Sequence, residues 1–291
     1  MNVTAKGGTP ATPMITGSAR VLPIFGWPVE QVKAPILFNA YFARHGIDAV
    51  VVPMGVRPEH CADLLRAMLR AGNCDAAMVT IPHKSTVAEA MDELGERARI
   101  AGSCNAVVRR PDGSLYGDLL DGEGFVRGLD RTADGRFDYA NSGALVVGAG
   151  GVGKANATAL ASRGIARLGL FDQSEAMARG LKQRLEQHYP RLKVELVRPD
   201  VKGYDLVVNC TPLGMAANDP LPANIDALQA STIVADCVMK VEFTPLLKAA
   251  QARGCAIQRG REMLLEQAPL YMELFGWPGT TAADFRALEA I

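Results

Sequence analysis

A lysine stands where a strand, which the sequence predicts to be buried, opens into a helix. Residues 79–81 read Val-Thr-Ile and favour β-structure, Pro82 stops strand pairing, and Lys84 follows at the turn before a helical segment at 86–94. A lysine in this position can accept or return a proton when its surroundings favour the neutral amine. Lys84 is therefore a candidate proton-transfer group, and the alternative is a surface lysine that begins a helix.

A glycine-rich turn provides a second chemical signal. Gly148, Gly150, Gly151 and Gly153 form G-A-G-G-V-G between the apolar segment 144–147 and an alanine-rich helical segment. A dinucleotide pyrophosphate needs a backbone that it can approach closely, with amides at a helix N-terminus pointing toward it. Glycine-rich turns are common, but the position of this one between a predicted strand and a predicted helix indicates a dinucleotide site.

An acidic residue follows at the end of the next predicted strand. Asp172 lies 24 residues beyond Gly148, close to the spacing of roughly 20 residues at which a carboxylate binds the ribose diol. A carboxylate repels a 2′-phosphate, and the neighbouring Gln173 is not an arginine that could hold one. The pair favours NAD over NADP as the cofactor. The alternative is that Asp172 only caps the following helix.

Composition limits the remaining classes of function. The 291 residues carry no formal net charge, with 48% hydrophobic and 21% charged residues, so neither a nucleic acid nor a membrane surface is expected as the partner. No apolar run approaches the roughly 18 residues of a membrane span. The scattered cysteines and the four separated histidines predict reduced thiols in the cytoplasm and no metal site. We expect a monomer or homodimer with a small-molecule substrate.

The elements that must position these residues alternate along the chain. Short apolar strands are separated by helical segments in both halves, which is typical of α/β domains with a mainly parallel sheet. A hairpin is predicted about Asp112 and Gly113, and a polar stretch at 129–143 precedes the glycine turn. The length suits two domains, the second of which carries the dinucleotide-binding turn.

Seven motifs in order, from about Pro23 to Leu274, give the chain a family resemblance. They are FGWPVEQVKAP, VTIPHK, AGSCNAV, GDLLDGEG, GAGGVG, NCTPLGM and GREMLLEQA. Together they resemble the motifs of the shikimate and quinate dehydrogenases. The resemblance implies a flexible tail at 1–18, an N-terminal α/β substrate domain at 19–122 and a Rossmann domain at 123–261. A final helix at about 262–291 would pack back on the first domain, and the substrate would bind in the cleft between the two.

The same resemblance assigns roles to residues. It implies hydride transfer between NAD(P) and the hydroxyl-bearing carbon of a cyclic polyhydroxy acid, with Lys84 and Asp121 as the catalytic pair. Since a carboxylate favours the ammonium form of a neighbouring lysine, we expect Asp121 to orient Lys84 and the substrate hydroxyl. Asp118, three residues earlier, is the alternative partner. Substrate contacts are implied for Val32, Ala34, Thr80, Asn105, Gln267 and Met239. Cofactor contacts are implied for Gly148, Ala149, Gly150, Gly151, Val152, Gly153, Asp172, Gln173, Cys210, Thr211, Pro212, Gly260 and Met263.

The substrate loop departs from the family pattern. Val32 and Ala34 stand where the family has two serines that hold the substrate carboxylate, and Met239 replaces a tyrosine. Loss of two hydrogen bonds to a carboxylate removes about 2–4 kcal/mol of binding free energy. Apolar residues also replace polar ones at Met78, Leu119 and Leu120. These changes predict a substrate that is less polar than shikimate, differently shaped, or bound by other groups.

Two other functions compete with this interpretation. A ligand sensor that kept the fold but lost turnover would explain the altered loop, although Lys84 and Asp121 are present. A dehydrogenase acting on a folate or an amino acid would share the nucleotide fold but would not need VTIPHK, NCTPLGM and MLLEQA together.

Overall fold

The computed structural model describes residues 15–216 and 218–289. Residues 1–14 of the predicted tail and residues 290–291 of the predicted final helix lie outside this part. The strands are β1 Arg20–Gly26, β2 Ala49–Gly55, β3 Ala76–Val79, β4 Glu93–Leu94, β5 Ala106–Arg109, β6 Leu115–Asp118, β7 Gly143–Val147, β8 Arg167–Phe171, β9 Lys193–Leu196, β10 Leu206–Asn209, β11 Ile233–Asp236 and β12 Ile257–Gln258. The α-helices are α1 Ala34–His45, α2 Pro58–Met68, α3 Lys84–Glu89, α4 Glu96–Ala101, α5 Asp121–Thr132, α6 Gly151–Ser162, α7 Glu175–His188, α8 Pro245–Gln251, α9 Gly260–Leu274 and α10 Ala282–Arg286.

The first sheet has the strand order β2-β1-β3-β5-β6-β4. Strand β1 pairs in parallel with β2 and β3, whereas β5 is antiparallel to both β3 and β6. The antiparallel β5–β6 pair is the predicted hairpin, with Gly113 at φ 88° in its turn. The sheet is therefore mixed. Strand β3 is the strand of this sheet that precedes Lys84 in the sequence.

The second sheet has the order β12-β11-β10-β7-β8-β9, and all of its pairs are parallel. The chain leaves β7 toward β8 on one side and later returns to β10 on the other side. Ligands of open α/β sheets bind at such a switch point, outside the carboxyl ends of the strands. The glycine turn follows β7 at that point. The two sheets confirm the predicted α/β class.

Helix α5 packs against both α6 and α9. A Cβ at Gly124 of α5 would lie 2.6 Å from Met263 O and 2.6 Å from Gln267 Cβ of α9, so only glycine permits this approach. Helix α9 also buries Leu264 and Met272 in the core of the first sheet. Helix α5 thus connects the catalytic candidates to both sheets.

The elements differ from the sequence expectations in several places. Helix α3 ends at Glu89 and β4 follows, although one helix was expected over 86–94. Gly276, at φ 94°, separates α9 from the short α10, where a single final helix was expected. The predicted domain limit between residues 122 and 123 lies within α5, and the domain limits stay a prediction. None of the helices in the described ranges is long and apolar enough to cross a bilayer.

Candidate active site

Lys84 and Asp121 form a buried ion pair, and Lys84 lines the larger of two cavities in the structure. Lys84 is the first residue of α3 and Asp121 the first residue of α5. Lys84 Nζ donates to Asp121 Oδ2 at 2.5 Å, and the two residues are 6% and 4% exposed. The adjacent His83 is also buried, with its Nε2 2.8 Å from Val56 O. The structure therefore joins the two side chains that the family resemblance pairs.

A backbone frame holds this pair. Cys104 N donates to Lys84 O at 2.8 Å, which fixes the first turn of α3 against the loop before β5. Asn105 Oδ1 accepts a hydrogen bond from Leu120 N at 2.8 Å, directly before Asp121. Asn105 Nδ2 is buried and has no partner among the described residues. Asn105 therefore supports the start of α5 and keeps a free donor.

Asp118 has a different partner. Its carboxylate accepts from Arg97 at 2.6 Å and from Leu119 N at 2.7 Å. Asp118 is therefore engaged with α4 and with its own turn, which separates it from the Lys84 pair. These contacts leave Asp121, and not Asp118, beside Lys84, and the catalytic role of Asp121 stays a prediction.

The residues expected at the substrate differ in polarity. Gln267 is buried on α9, and its Oε1 has no partner in the described part of the chain. Thr80 follows β3 and donates its backbone N–H to Phe25 O at 2.8 Å. Val32 and Met239 pack against the core of the first sheet, and Ala34 is buried at the start of α1. Asn105 and Gln267 thus each carry a polar atom without a partner in the described ranges, whereas Val32 and Ala34 of the substrate loop contribute apolar surface.

A cavity of about 180 Å³ opens beside Met239. Its charged lining comes from Lys33, Arg259, Arg261 and Glu242. Arg259 is paired with Glu242 at 2.5 Å, whereas the nearest carboxylates to Arg261 are 3.9 and 4.0 Å away. The buried Nε of Arg261 has no hydrogen-bond partner within the described ranges. The cavity therefore combines an apolar wall with cationic groups. Val238 lines both this cavity and the larger cavity that contains the glycine turn.

The larger cavity, of about 750 Å³, lies between the glycine turn and Lys84. Gly148 has φ 102°, and a Cβ at Gly153 would lie 1.8 Å from Gly148 O. The turn therefore requires glycine, and the N-terminus of α6 faces the space. Predicted cofactor residues that line the cavity are Gly148, Gly150, Gly151, Val152, Asp172, Gln173, Cys210, Thr211 and Pro212. Ala149 and Gly153 lie in the turn without lining the cavity, Gly260 lines the smaller cavity, and Met263 is in the core.

Asp172 contacts both the glycine turn and the residue before the following helix. Its Oδ2 accepts from Ala149 N at 2.6 Å, and its Oδ1 accepts from Ser174 N at 2.8 Å. Ser174 is the N-cap residue of α7 and lies before the helix, so Asp172 does not cap a helical amide, and the same side chain also lines the cavity. Gln173 lies beside it on the cavity wall.

Sequence reasoning missed Lys154 and Tyr271 at this site. Lys154 lines the cavity, and its Nζ lies 3.2 Å from Ser85 Oγ. Burial lowers the pKa of Lys154, and the positive charge of Arg184 lowers it further. Tyr271 Oη donates to Asn105 O at 3.2 Å. Burial raises the pKa of Tyr271, and the charge of Asp121 adds to this effect. The position of Tyr271, one helical turn after Gln267, was the signal that could have found it.

Known proteins resemble this chain along most of its length. The family model of the shikimate dehydrogenase substrate binding domain matches residues 24–107. A shikimate dehydrogenase (NADP(+)) of Rhodospirillum rubrum is 38% identical over 270 residues, which cover 90% of this chain and 94% of that protein.

Solved structures show the same likeness. Shikimate 5-dehydrogenase from Listeria monocytogenes, in complex with shikimate and NAD, has a TM-score of 0.84 at 25% identity, covering 96% of this chain and 99% of that one. Quinate dehydrogenase from Corynebacterium glutamicum, in complex with NAD, has a TM-score of 0.82 at 29% identity, covering 93% and 98%. With these similarities and the geometry above, the chain belongs to the shikimate dehydrogenase family.

Proposed function

We propose that this protein is an NAD(P)-dependent oxidoreductase acting on a shikimate- or quinate-like alicyclic acid. It transfers a hydride between the nicotinamide and the carbon that bears the hydroxyl or keto group. The observation that carries the proposal is the buried Lys84–Asp121 pair, whose lysine lines the larger cavity beside the glycine turn. Membership in the shikimate dehydrogenase family supports it.

The residues of the chain supply the proton transfer. The nicotinamide, when bound, exchanges the hydride, and the alcohol must lose its proton as its carbon is oxidised. Lys84 Nζ is the group we assign to take that proton and to return it in the reverse direction. Asp121 Oδ2 orients the amine through the 2.5 Å hydrogen bond and stabilises the ammonium that forms. Asn105 Nδ2 and Gln267 Oε1 offer a donor and an acceptor to the ring hydroxyls.

We propose NAD rather than NADP as the preferred cofactor. The carboxylate of Asp172 lines the cavity at the end of β8, where it can accept hydrogen bonds from a ribose diol and repels a phosphate. Gln173 beside it adds no positive charge. The Rhodospirillum relative is named for NADP(+), and the Corynebacterium quinate dehydrogenase is in complex with NAD. The preference of this chain therefore rests on its own two residues.

We propose that the substrate carboxylate is held by cationic groups in place of the loop hydroxyls. Val32, Ala34 and Met239 offer no polar side-chain atom that could donate to it. Arg261 and Lys33 line the neighbouring cavity, and no carboxylate among the described residues comes nearer than 3.9 Å to the Arg261 guanidinium. A guanidinium matches a carboxylate in geometry and charge, so this cavity supports an anionic substrate with a less polar ring.

A substrate panel tests the function. Shikimate, quinate and less hydroxylated cyclohexane or cyclohexene carboxylates are assayed with NAD and NADP in parallel. We expect NADH formation with at least one acid and a faster reaction with NAD than with NADP. Tight binding of an acid without any turnover would favour the sensor alternative, which the apolar loop motivates.

We place the protein in the cytoplasm as part of the same proposal. The six cysteines are free thiols in the structure, which suits a reducing compartment. A monomer or homodimer stays our prediction for the assembly.

A further inference from the structure

Two cysteines meet at the carboxyl ends of neighbouring strands in the second sheet. Strands β10 and β11 pair in parallel with Asn209 opposite Asp236, and Cys210 and Cys237 are the next residue of each strand. Cys237 N donates to Asn209 O at 2.9 Å, so the ladder continues to this level. The two Sγ atoms are 3.9 Å apart. Side chains at this register point to the same side of the sheet.

The surroundings of the pair distinguish it from the other thiols. The amide Nδ2 of the buried Asn156 is 3.5 Å from Cys210 Sγ and 3.2 Å from Cys237 Sγ. Both cysteines are partly exposed and line the 750 Å³ nucleotide cavity. The four remaining cysteines, which are Cys61, Cys74, Cys104 and Cys255, are buried. A small reagent that enters the cavity therefore reaches both sulfur atoms of the pair.

We propose that Cys210 and Cys237 are a redox modification site, which a low-molecular-weight disulfide converts into an intramolecular disulfide. In the first step, Cys210 Sγ attacks the reagent, so that a mixed disulfide forms and one reagent thiol leaves with the proton. In the second step, Cys237 Sγ displaces the second reagent thiol, which takes the Cys237 proton. The protein loses two electrons and two protons, and the reagent is reduced to two thiols.

The geometry permits this bond. Adjacent strands lie about 4.8 Å apart, which is within the Cα separation of roughly 4.4–6.8 Å that disulfides require. The sulfur atoms are already in contact, so side-chain rotation brings them together without a change of strand register. Contact with Cys210 Sγ raises the pKa of Cys237 well above its usual range, and burial adds to this effect. Cys237 is thus a thiol at neutral pH, so Cys210 makes the first attack and Cys237 must lose its proton to attack the mixed disulfide.

Oxidation and nucleotide binding exclude each other in this arrangement. The pair lies on the same cavity wall as Gly148 and Thr211, so a bound nucleotide covers the sulfur atoms. A disulfide would change that wall and withdraw the two sulfurs from Asn156. The protein would therefore lose nucleotide affinity on oxidation and regain it on reduction. This last step rests on the proposed nucleotide site, whereas formation of the bond does not.

Mass spectrometry of the wild-type protein tests the site. The folded protein is treated with 2-hydroxyethyl disulfide, quenched with acid and alkylated under denaturing conditions before digestion. Both cysteines fall in one tryptic peptide, 203–240, because no lysine or arginine lies between Lys202 and Lys240. We expect this peptide to be lighter than its reduced form by two hydrogen atoms and to remain linked after cleavage at Asp219 and Asp226. Recovery of both cysteines as alkylated thiols would overturn the proposal.

Nucleotide protection and two variants complete the test. NAD or NADP at about 100 times its dissociation constant should slow formation of the bond by roughly a hundredfold, because about 1% of the protein is then free. An equal rate with and without nucleotide would show that the pair lies outside the nucleotide site, and would overturn the exclusion while leaving dehydrogenase activity to be judged separately. Cys237→Ser should stop at the mixed disulfide on Cys210, whereas Cys255→Ser, away from the cavity, should behave like wild type.

Discussion

Lys84 Nζ and Asp121 Oδ2 form a 2.5 Å ion pair with both side chains buried, although 37 residues separate them in sequence. A buried ion pair contributes little net stability, because desolvation of both charges offsets their attraction. Apolar residues of similar volume would hold α3 and α5 together as well. The pair is therefore better explained by proton transfer than by folding.

Replacement of the pair should separate stability from catalysis. Lys84→Met should reduce kcat by about 100- to 10 000-fold, as expected for loss of a proton-transfer group. It also leaves Asp121 uncompensated, at a cost of about 3–5 kcal/mol in unfolding free energy. The double variant Lys84→Met with Asp121→Leu should recover much of that free energy but no activity. Urea unfolding and initial rates measure the two effects.

Asp118 provides the matched control. Asp118→Asn breaks the ion pair with Arg97 but leaves Asp121 beside Lys84. This variant should keep kcat within a few-fold of wild type. Activity retained in Lys84→Met, or lost equally in Asp118→Asn, would contradict the assignment of the pair.

Cofactor preference should follow the two residues after β8. Asp172→Asn with Gln173→Arg removes the negative charge and adds a guanidinium, so the ratio of kcat/KM for NADP over NAD should rise on the order of 100-fold. Asparagine retains one acceptor for the turn amide that Asp172 binds through Ala149 N. Because the ratio compares two cofactors in one variant, a general loss of activity caused by damage to the glycine turn affects both kcat/KM values equally and cancels from the ratio. An unchanged ratio would remove Asp172 and Gln173 as the discriminating residues.

Much of this site was predictable because its determinants are local. The glycine turn follows β7 directly, and Lys84 follows β3 after a proline, so each position depends on a few neighbouring residues. The helix end at Gly46, with φ 63°, and the β5–β6 hairpin are predictable for the same reason. Local backbone chemistry fixes these features wherever the sheet places them.

Contacts between distant side chains were not predictable. The residues alone left both Asp118 and Asp121 as partners of Lys84, and only the family resemblance favoured Asp121, because the contact depends on how α5, which packs on α9 at Gly124, meets α3. The meeting of Cys210 with Cys237 depends on the register of two strands that are far apart in sequence. Periodicity reports which face of an element is buried, but not which residue of another element lies opposite.

Restored hydroxyls in the substrate loop should favour shikimate. Val32→Ser with Ala34→Ser adds two donors where the family binds the carboxylate, and kcat/KM for shikimate should rise at least about tenfold from one regained charged hydrogen bond. Val32→Thr with Ala34 unchanged, which adds a single hydroxyl, should give a smaller gain. Steady-state kinetics with shikimate measure both. No change in either variant would show that the loop does not face the carboxylate.

The cationic cavity should determine KM for acids. Arg261→Leu removes the guanidinium without a close carboxylate partner, so KM for a carboxylate substrate should rise about tenfold or more while kcat changes less. Arg259→Leu is the matched control, since Arg259 is already paired with Glu242 at 2.5 Å. The amide of the same substrate should show no difference between wild type and Arg261→Leu. Equal KM values for the acid would place the carboxylate elsewhere.

Asp236 should give the protein a stability that decreases as the pH rises. Burial raises the pKa of Asp236 from 3.8 to about 6, although hydrogen bonds from Val238 N, Thr244 Oγ1 and Asn209 Nδ2 lower it in part. Between pH 3.8 and about pH 6, Asp236 is protonated in the folded state, whereas it is ionised in the unfolded state. The contribution is therefore complete below about pH 4 and is lost as the pH rises through 6, by about 3 kcal/mol.

The variant Asp236→Asn isolates this contribution, because it cannot titrate whereas all other carboxylates still do. Carboxylates such as Glu262 give the opposite slope in both proteins: burial raises the pKa of Glu262, but the Arg286 hydrogen bond and the charges of nearby arginines together lower it by more, so that the net shift is downward. The difference in unfolding free energy, wild type minus variant, should therefore fall by about 3 kcal/mol between pH 4 and pH 7 in urea titrations. A difference that is constant or rises with pH would mean that Asp236 is ionised in the folded protein at acidic pH, and that Asn209 and Thr244 bind a carboxylate.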